Sequence, residues 1–359
     1  MDVRVALAER SYDIVIGRGL MGHVGPRAAK LRAITHVILI ADQNVQTYAR
    51  QVAESFADAE VDVDILTIQP GEQSKSASTL AALWESVLDA GADRKTVIGA
   101  VGGGVVGDLA GFVAATFARG LDFIQCPTTL LAAVDSSVGG KTGINLEQAK
   151  NMVGAFWQPR AVFVDTDALE TLPPREFQAG LAEVVKYGVI LDADFFQFLE
   201  SQVFEINARQ PEVLAEVIAR CCRLKADVVE ADERETTGLR AVLNYGHTFA
   251  HALEAITGYG QLLHGEAVSI GMLCASRLAE TMGRIDHETT VRQHNLLSAF
   301  GCPTQLPDVD LELLVRLMQH DKKVQHGRLR FVLPTRLGHV ELVADVDPQL
   351  VQSALTNAE

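Results

Sequence analysis

The chain has 359 residues, 48% hydrophobic and 21% charged, with 31 Lys and Arg against 46 Asp and Glu for a net charge of −15. That length accommodates two domains with a sizeable core in each, and the composition excludes a disordered chain. The acidic balance excludes general nucleic-acid binding, which needs a basic face, so an anionic substrate would require a local basic pocket.

Along the chain, VRVALAE and YDIVIG alternate about a polar break at Arg10 and Ser11, the pattern of a strand pair. HVILIADQN then reads as a buried strand, Val45 to Ala57 as a helix, VDILTI as a strand and Ser76 to Ala90 as a helix. Strands alternating with helices of this length imply parallel pairing through crossover helices. TVIGAVGGG is a further buried strand running into glycines, and Gly102, Gly104 and Gly107 fit GxGxxG between that strand and a helical run. Backbone amides at such a helix start can cradle a pyrophosphate, although the same residues also make a plain turn. The acid that usually serves the ribose is missing from the next strand, FIQCP; Asp42, ending HVILIAD, is better placed.

Thr128 and Thr129 follow FIQCP, and Asp135, VGGKTGIN and the pair Lys150 and Asn151 come after. Lysines and glycines in loops after strands suit an anion, or are simply solvated. GGKTG is not a P-loop, because the GxxxxGK[ST] frame puts Asp135 where a glycine is required. RAVFVD is the last strand of this half. Past Pro173 and Pro174 the period turns helical, for example over Phe195 to Val203, Pro211 to Val229 and the nearly all-apolar Ala267 to Thr281. The expected architecture is α/β: an amino-terminal parallel-sheet domain over 1–172 and a mainly α-helical carboxy-terminal domain over 173–359, with a cleft between them. RLRFVLPTRLGHVELV adds a hairpin before a final helix.

Three of the ten histidines fall in LNYGHTFAHALEAITGYGQLLHGEAVSIG. His247 and His251, four apart, project from one helix face with Glu254 a further turn along, and His264 precedes the next helical run with Glu266 behind it. Histidines at this spacing also pack and cap helices, but a divalent metal explains the density more simply, zinc being suited to imidazole and carboxylate ligands. Glu183, an acid in the apolar AGLAEVVKYG, is the best candidate to complete a site, with Lys186 on its face. Nothing here has the layout of a secretion signal, and no apolar run approaches the ~20 residues needed to span a bilayer, so a cytoplasmic protein without membrane partners is expected. The five cysteines form no CxxC pair and read as buried free thiols.

The ordered set PGEQSK, GGGVVGD, CPTTLLAAVDSSVGGKTGIN, KNMVGAFWQP, AGLAEVVKYG, LNYGHTFAHALE and LLHGEAVSIGM resembles the 3-dehydroquinate synthase family. The resemblance runs from about Ile40 to Leu333 and implies an NAD-binding domain, a zinc-binding helical domain, with cobalt an alternative, and a homodimer. It places the metal on Glu183, His247 and His264, so that His251 becomes a proton-transfer residue instead of the co-ligand its spacing suggests. NAD contacts would be Asp42, Glu72, Lys75, Gly104, Val105, Val106, Gly107, Asp108, Thr128, Thr129 and Thr171, with Lys141 and Lys150 shared between cofactor and substrate. Catalytic roles would fall on His251, Lys141, Lys186, Asn151 and Asp135, and substrate contacts on Arg119, Lys150, Lys225, Arg240, Asn244 and one of Lys322 or Lys323. The implied substrate is the sugar phosphate 3-deoxy-D-arabino-heptulosonate 7-phosphate, converted to 3-dehydroquinate in the shikimate pathway that leads to aromatic amino acids. NAD would oxidise it transiently; phosphate elimination, reduction and an intramolecular aldol closure would follow. A related sugar-phosphate cyclase shares most of this kit. A polyol dehydrogenase would not need Lys141, Lys150, Lys186 and Arg119, and a nucleotide- and metal-binding sensor that has lost turnover is disfavoured by the intact set Glu183, His247, His251 and His264.

Overall fold

A computed structural model describes residues 1–31, 33–146, 149–258, 260–319 and 330–356. Its contacts divide the chain into two units, Met1–Leu172 with Pro211–Arg234, and Pro173–Gln210 with Glu235–Glu359.

The apolar runs of the first unit become strands because β-branched side chains suit a pleat buried on both faces. In chain order they are β1 (Asp2–Val5), β2 (Tyr12–Gly17), α1 (Val24–Leu31), β3 (His36–Asp42), α2 (Gln46–Ala57), β4 (Asp62–Ile68) and α3 (Ala77–Asp89). β5 (Val97–Gly102), α4 (Gly104–Thr116), β6 (Asp122–Pro127), β7 (Lys141–Leu146), β8 (Ala149–Phe156) and β9 (Ala161–Asp165) complete the run. Seven strands form one sheet in the order β1-β2-β9-β6-β5-β3-β4, parallel except for the β1–β2 pair. Val52 and Phe56 of α2 pack with Leu39 and Val101 on one face, while Leu83 of α3 and Leu109 of α4 pack with Ile38 and Ile98 on the other. From β3 the chain passes outward to β4 and then returns across β3 to β5. The ends of β3 and β5 therefore flank a switch point, where open α/β sheets place their ligands.

Two findings differ from the sequence expectation. The lysine-bearing stretch after β6 is not a set of loops; β7 and β8 pair antiparallel as a separate two-stranded sheet. Gly143 and Gly154 lie opposite one another there, and a Cβ on Gly154 would stand 2.0 Å from the Thr142 carbonyl oxygen. Glycines at such a close approach hide the strand alternation. Second, the helix at 211, placed by its period in the carboxy-terminal half, groups with the first unit.

The second unit opens with α5 (Pro174–Ile190), α6 (Ala193–Ser201) and α7 (Val203–Asn207). The chain then sends α8 (Pro211–Ala231) to the first unit before α9 (His247–Thr257), α10 (His264–Thr281), α11 (His287–Ala299), α12 (Leu311–Gln319), β10 (Arg330–Arg336), β11 (His339–Ala344) and α13 (Pro348–Thr356). α5 is buried continuously from Ala179 to Ile190, which explains how an acid and a lysine come to lie inside an apolar helix. α10 starts at His264, three residues before the apolar run, because the Glu266 carboxylate accepts the Leu263 N–H at 2.8 Å and so closes the helix start. Among the described residues no helix is long and apolar enough to cross a membrane.

Candidate active site

In the second unit, Glu183 is fully buried on α5 and its Oε1 has no hydrogen-bond donor. Two histidines approach it: His247 Nε2 lies 3.7 Å and His264 Nε2 3.8 Å from Glu183 Oε1. The Lys186 ammonium, 1% exposed, contacts Oε2. The backbone imposes this convergence. His264 reaches α5 because Gly265 lies against it, where a Cβ would stand 1.9 Å from the Ala179 carbonyl oxygen. Gly246, at φ +77°, turns the chain into α9, and the buried Tyr245 hydroxyl anchors that turn 2.9 Å from the Met272 carbonyl oxygen and 2.7 Å from Gln293 Oε1.

One donor atom each from Glu183, His247 and His264 lies within 4.8 Å of the others. The 3.7 and 3.8 Å spacings approach the ~3.4 Å edge of a tetrahedron with bonds of ~2.1 Å, and a buried carboxylate oxygen without a hydrogen bond, here Oε1, is an atom that a cation satisfies. A divalent metal therefore fits. His247 Nδ1 faces the Tyr245 carbonyl oxygen at 3.0 Å, which leaves Nε2 as the donor atom turned to Glu183. His264 Nδ1 faces Glu254 Oε2 at 3.7 Å. Burial opposes a proton on His264, but the Glu254 and Glu183 carboxylates outweigh it and hold that pKa above the ordinary histidine value. The spacing that pairs His247 with His251 as co-ligands is corrected by this geometry. His251, a turn further along α9, lies outside the cluster, its ring centre 5.7 Å from that of His247 and 6.4 Å from that of His264. Glu266 is engaged elsewhere, capping α10 and pairing with Arg175 at 2.6 Å. Arg240, 2% exposed, and Asn244 lie on the short 3₁₀ helix Leu239–Asn244 before α9, with Arg240 Nε 3.5 Å from Glu235 Oε1.

In the first unit, Gly104, Val105, Val106, Gly107 and Asp108 form the start of α4, and the Gly103 cap supplies no side chain to its first amides. That leaves backbone N–H groups for an anion at the switch point. Asp42 ends β3, half-buried, its carboxylate accepting the Asn44 N–H at 2.8 Å. Burial raises its pKa against that bond. Thr128 directly follows β6, its N–H donating to the Gly102 carbonyl at 3.0 Å; Thr129 Oγ1 accepts the Ala132 N–H at 3.1 Å, where the π-helical turn Ala132–Ser136 begins. On that turn Asp135 accepts from Lys225 of α8, whose ammonium is 2.7 Å from Oδ1 and 2.6 Å from the Asp135 carbonyl.

A second group of residues joins in a network. The Lys75 ammonium donates to Asp108 and to Asn151 Oδ1, while Asn145 Nδ2 donates to Glu72 Oε1 at 2.7 Å. Burial pushes the Asp108 carboxyl up from the ordinary range, with Lys75 opposing. Lys141 begins β7, exposed, and Lys150 precedes Asn151 on β8. Arg119 is presented by consecutive left-handed residues, Ala118 at φ +48° and Arg119 at φ +68°. Thr171 bonds the Tyr48 hydroxyl at 2.8 Å, and among the described residues no hydrogen bond or ion pair joins Thr171, Asp42 or Arg119 to the network. Lys322 and Lys323 lie outside the described residues. Sequence reasoning passed over Asn145, Tyr48 and Tyr245. Asn145 and Tyr245 stood within quoted motifs; Tyr48 did not.

The 3-dehydroquinate synthase amino-terminal family model matches residues 65–179 and its carboxy-terminal counterpart residues 180–324. A 3-dehydroquinate synthase of Rhodopirellula baltica is 52% identical over 98% of this chain and 96% of its own length. A solved 2-deoxy-scyllo-inosose synthase, complexed with carbaglucose-6-phosphate, NAD+ and Co2+, superposes with a TM-score of 0.91 at 31% identity, covering 99% of this chain and 100% of its own. The 2-epi-5-epi-valiolone synthase of Streptomyces hygroscopicus, with NAD+ and Zn2+ bound, gives 0.89 at 27% identity over 98% of each chain.

Proposed function

The chain belongs to the 3-dehydroquinate synthase family, and we propose the residue roles by which it converts 3-deoxy-D-arabino-heptulosonate 7-phosphate into 3-dehydroquinate and phosphate. The observation that carries this reading is the buried Glu183 Oε1, without a hydrogen bond and faced by two histidine Nε2 atoms. Glu183, His247 and His264 hold a divalent metal, which we take to be zinc, and the α4 amino-terminus with Asp42, Glu72, Lys75, Thr128, Thr129 and Thr171 holds NAD. When bound, NAD accepts and returns a hydride while the metal polarises the substrate oxygens.

The chain's own residues bind and orient the rest. Lys141, Lys150 and Arg119 receive the phosphate, so a strongly acidic protein keeps local cations for a dianion. Lys225 fixes Asp135 by one contact to its carboxylate and one to its backbone carbonyl, and Asn151, Arg240 and Asn244 hold substrate oxygens. His251, beside the metal ligands, moves the proton of the oxidised hydroxyl, and Lys186 balances the Glu183 charge. The departing phosphate itself takes the C6 proton. The lysines then chiefly orient it, and a Lys150→Ala variant retains part of its elimination activity where Glu183→Ala retains none. A homodimer in the cytoplasm is part of the same reading; sedimentation tests the dimer.

Identity favours this reaction over another sugar-phosphate cyclisation: 52% to a 3-dehydroquinate synthase against 31% to the inosose synthase. The direct test is phosphate release from the heptulosonate phosphate with catalytic NAD, followed alongside NADH absorbance, with and without a chelator. Stoichiometric phosphate without net NADH, abolished by chelation and restored by zinc, is expected. Net NADH without phosphate would move the assignment to a dehydrogenase.

A further inference from the structure

The β7–β8 hairpin contains a local irregularity that the reaction as outlined does not use. Ile144 pairs with Val153 and Leu146 with Ala149, so Lys150, Asn151 and Met152 all lie opposite the single residue Asn145. Such bulges re-aim side chains at the cost of regular pairing. Here the bulged strand passes through a left-handed residue, Asn151 at φ +57°, and two of its members are the predicted substrate residues Lys150 and Asn151.

We infer that Asn145 is a positioning residue that holds this bulge in shape and ties it to the Glu72 and Lys75 segment; the inference rests on the functional reading above. Asn145 Oδ1 accepts the Asn151 N–H at 2.9 Å, taking up a backbone donor that the bulge removes from the ladder. Its Nδ2 donates to Glu72 Oε1 at 2.7 Å. Its own N–H donates to the Lys75 carbonyl oxygen at 2.8 Å, and the Lys75 ammonium closes the circuit on Asn151 Oδ1. Only an amide supplies acceptor and donor at once from a side chain of this length. A carboxylate keeps the acceptor but sets a second negative charge against Glu72, and alanine removes both. The dinucleotide-side carboxylate and the substrate-side bulge thus share one side chain.

Asn145→Ala and Asn145→Asp variants of the full chain separate the two arms. NAD affinity is measured by calorimetry without substrate and KM for the sugar phosphate at saturating NAD, with bound metal and thermal melting as controls. Asn145→Ala is expected to weaken NAD binding and raise KM, each by about tenfold, the loss of one hydrogen bond to a charged or strained partner. Asn145→Asp is expected to weaken NAD binding while leaving KM within about twofold of the parent, with metal content at the parental level in both. Parental values of both constants in a folded Asn145→Ala variant would overturn the inference, as would equal losses in the two variants. Should the alanine variant not fold, the split between the two constants in Asn145→Asp decides alone. A parent protein that binds NAD but does not turn over the sugar phosphate would fault the functional reading instead; the NAD arm would still test Asn145.

Discussion

His247 Nδ1 lies 3.0 Å from the carbonyl oxygen of Tyr245, two residues back, and this contact decides which ring nitrogen faces Glu183. A backbone carbonyl only accepts, so Nδ1 carries the hydrogen and Nε2 keeps its lone pair for a cation. The metal-free protein keeps a buried carboxylate oxygen, Glu183 Oε1, without a hydrogen bond. Adding zinc should therefore raise the melting temperature of the chelator-treated protein, since a ligand at a hundred times its dissociation constant contributes about 2.7 kcal/mol. Glu183→Gln should lose that rise, because an amide is a poor metal ligand. An equal zinc-induced shift in the variant, followed by differential scanning fluorimetry, would place the metal elsewhere.

Gly265 provides a steric test of the same site. With a Cβ at 1.9 Å from the Ala179 carbonyl oxygen, Gly265→Ala must push the start of α10 away from α5. Overpacking of this kind costs about 1–3 kcal/mol, and it also moves the adjacent His264. Lower stability to urea together with weaker zinc retention against a chelator is the expected pair of outcomes. Lowered stability with parental zinc retention would show that His264 does not depend on this contact.

The first unit was legible because its strands are short buried runs between turn residues, and Glu183 of the second unit was legible because it interrupts an apolar helix with no solvent to face. What the sequence hid depends on long-range partners. The period of α8 shows an amphipathic helix but not which core it joins. Asn145 reads as one polar residue in a glycine-rich run, and its role exists only once Val153 is paired with Ile144 and Asn151 turns left-handed. Helical spacing pairs His247 with His251, whereas α5, distant in sequence, selects His264.

All five cysteines are buried without disulfides. Burial pushes the thiols of Cys222, Cys274 and Cys302 up to about 12 and Cys126 higher still, so almost no thiolate exists at neutral pH. A thiol reagent should label none of them in the native protein within minutes and all five after denaturation. Rapid labelling of one cysteine without loss of fold would show that its segment opens locally.

Acid stability should depend on Glu233. Arg10, in the turn between β1 and β2, donates to both oxygens of Glu233 at 3.0 and 2.6 Å, and Gln158 Nε2 adds a bond at 3.2 Å. Arg10 chiefly holds this carboxyl below the ordinary glutamate value of 4.5, with burial opposing. A depressed folded pKa contributes stability that is fully present above the unfolded value and is lost as pH falls through the folded one. With Arg10 about half exposed, the contribution is screened to about 1 kcal/mol or less. Glu233→Gln should therefore be slightly less stable than the parent at neutral pH. That gap should close below pH 4.5, where the parent loses the ion pair and the variant has none to lose. Urea unfolding of both proteins across that range measures it, and a gap that stays constant into acid would show that Glu233 acts through its neutral hydrogen bonds rather than its charge.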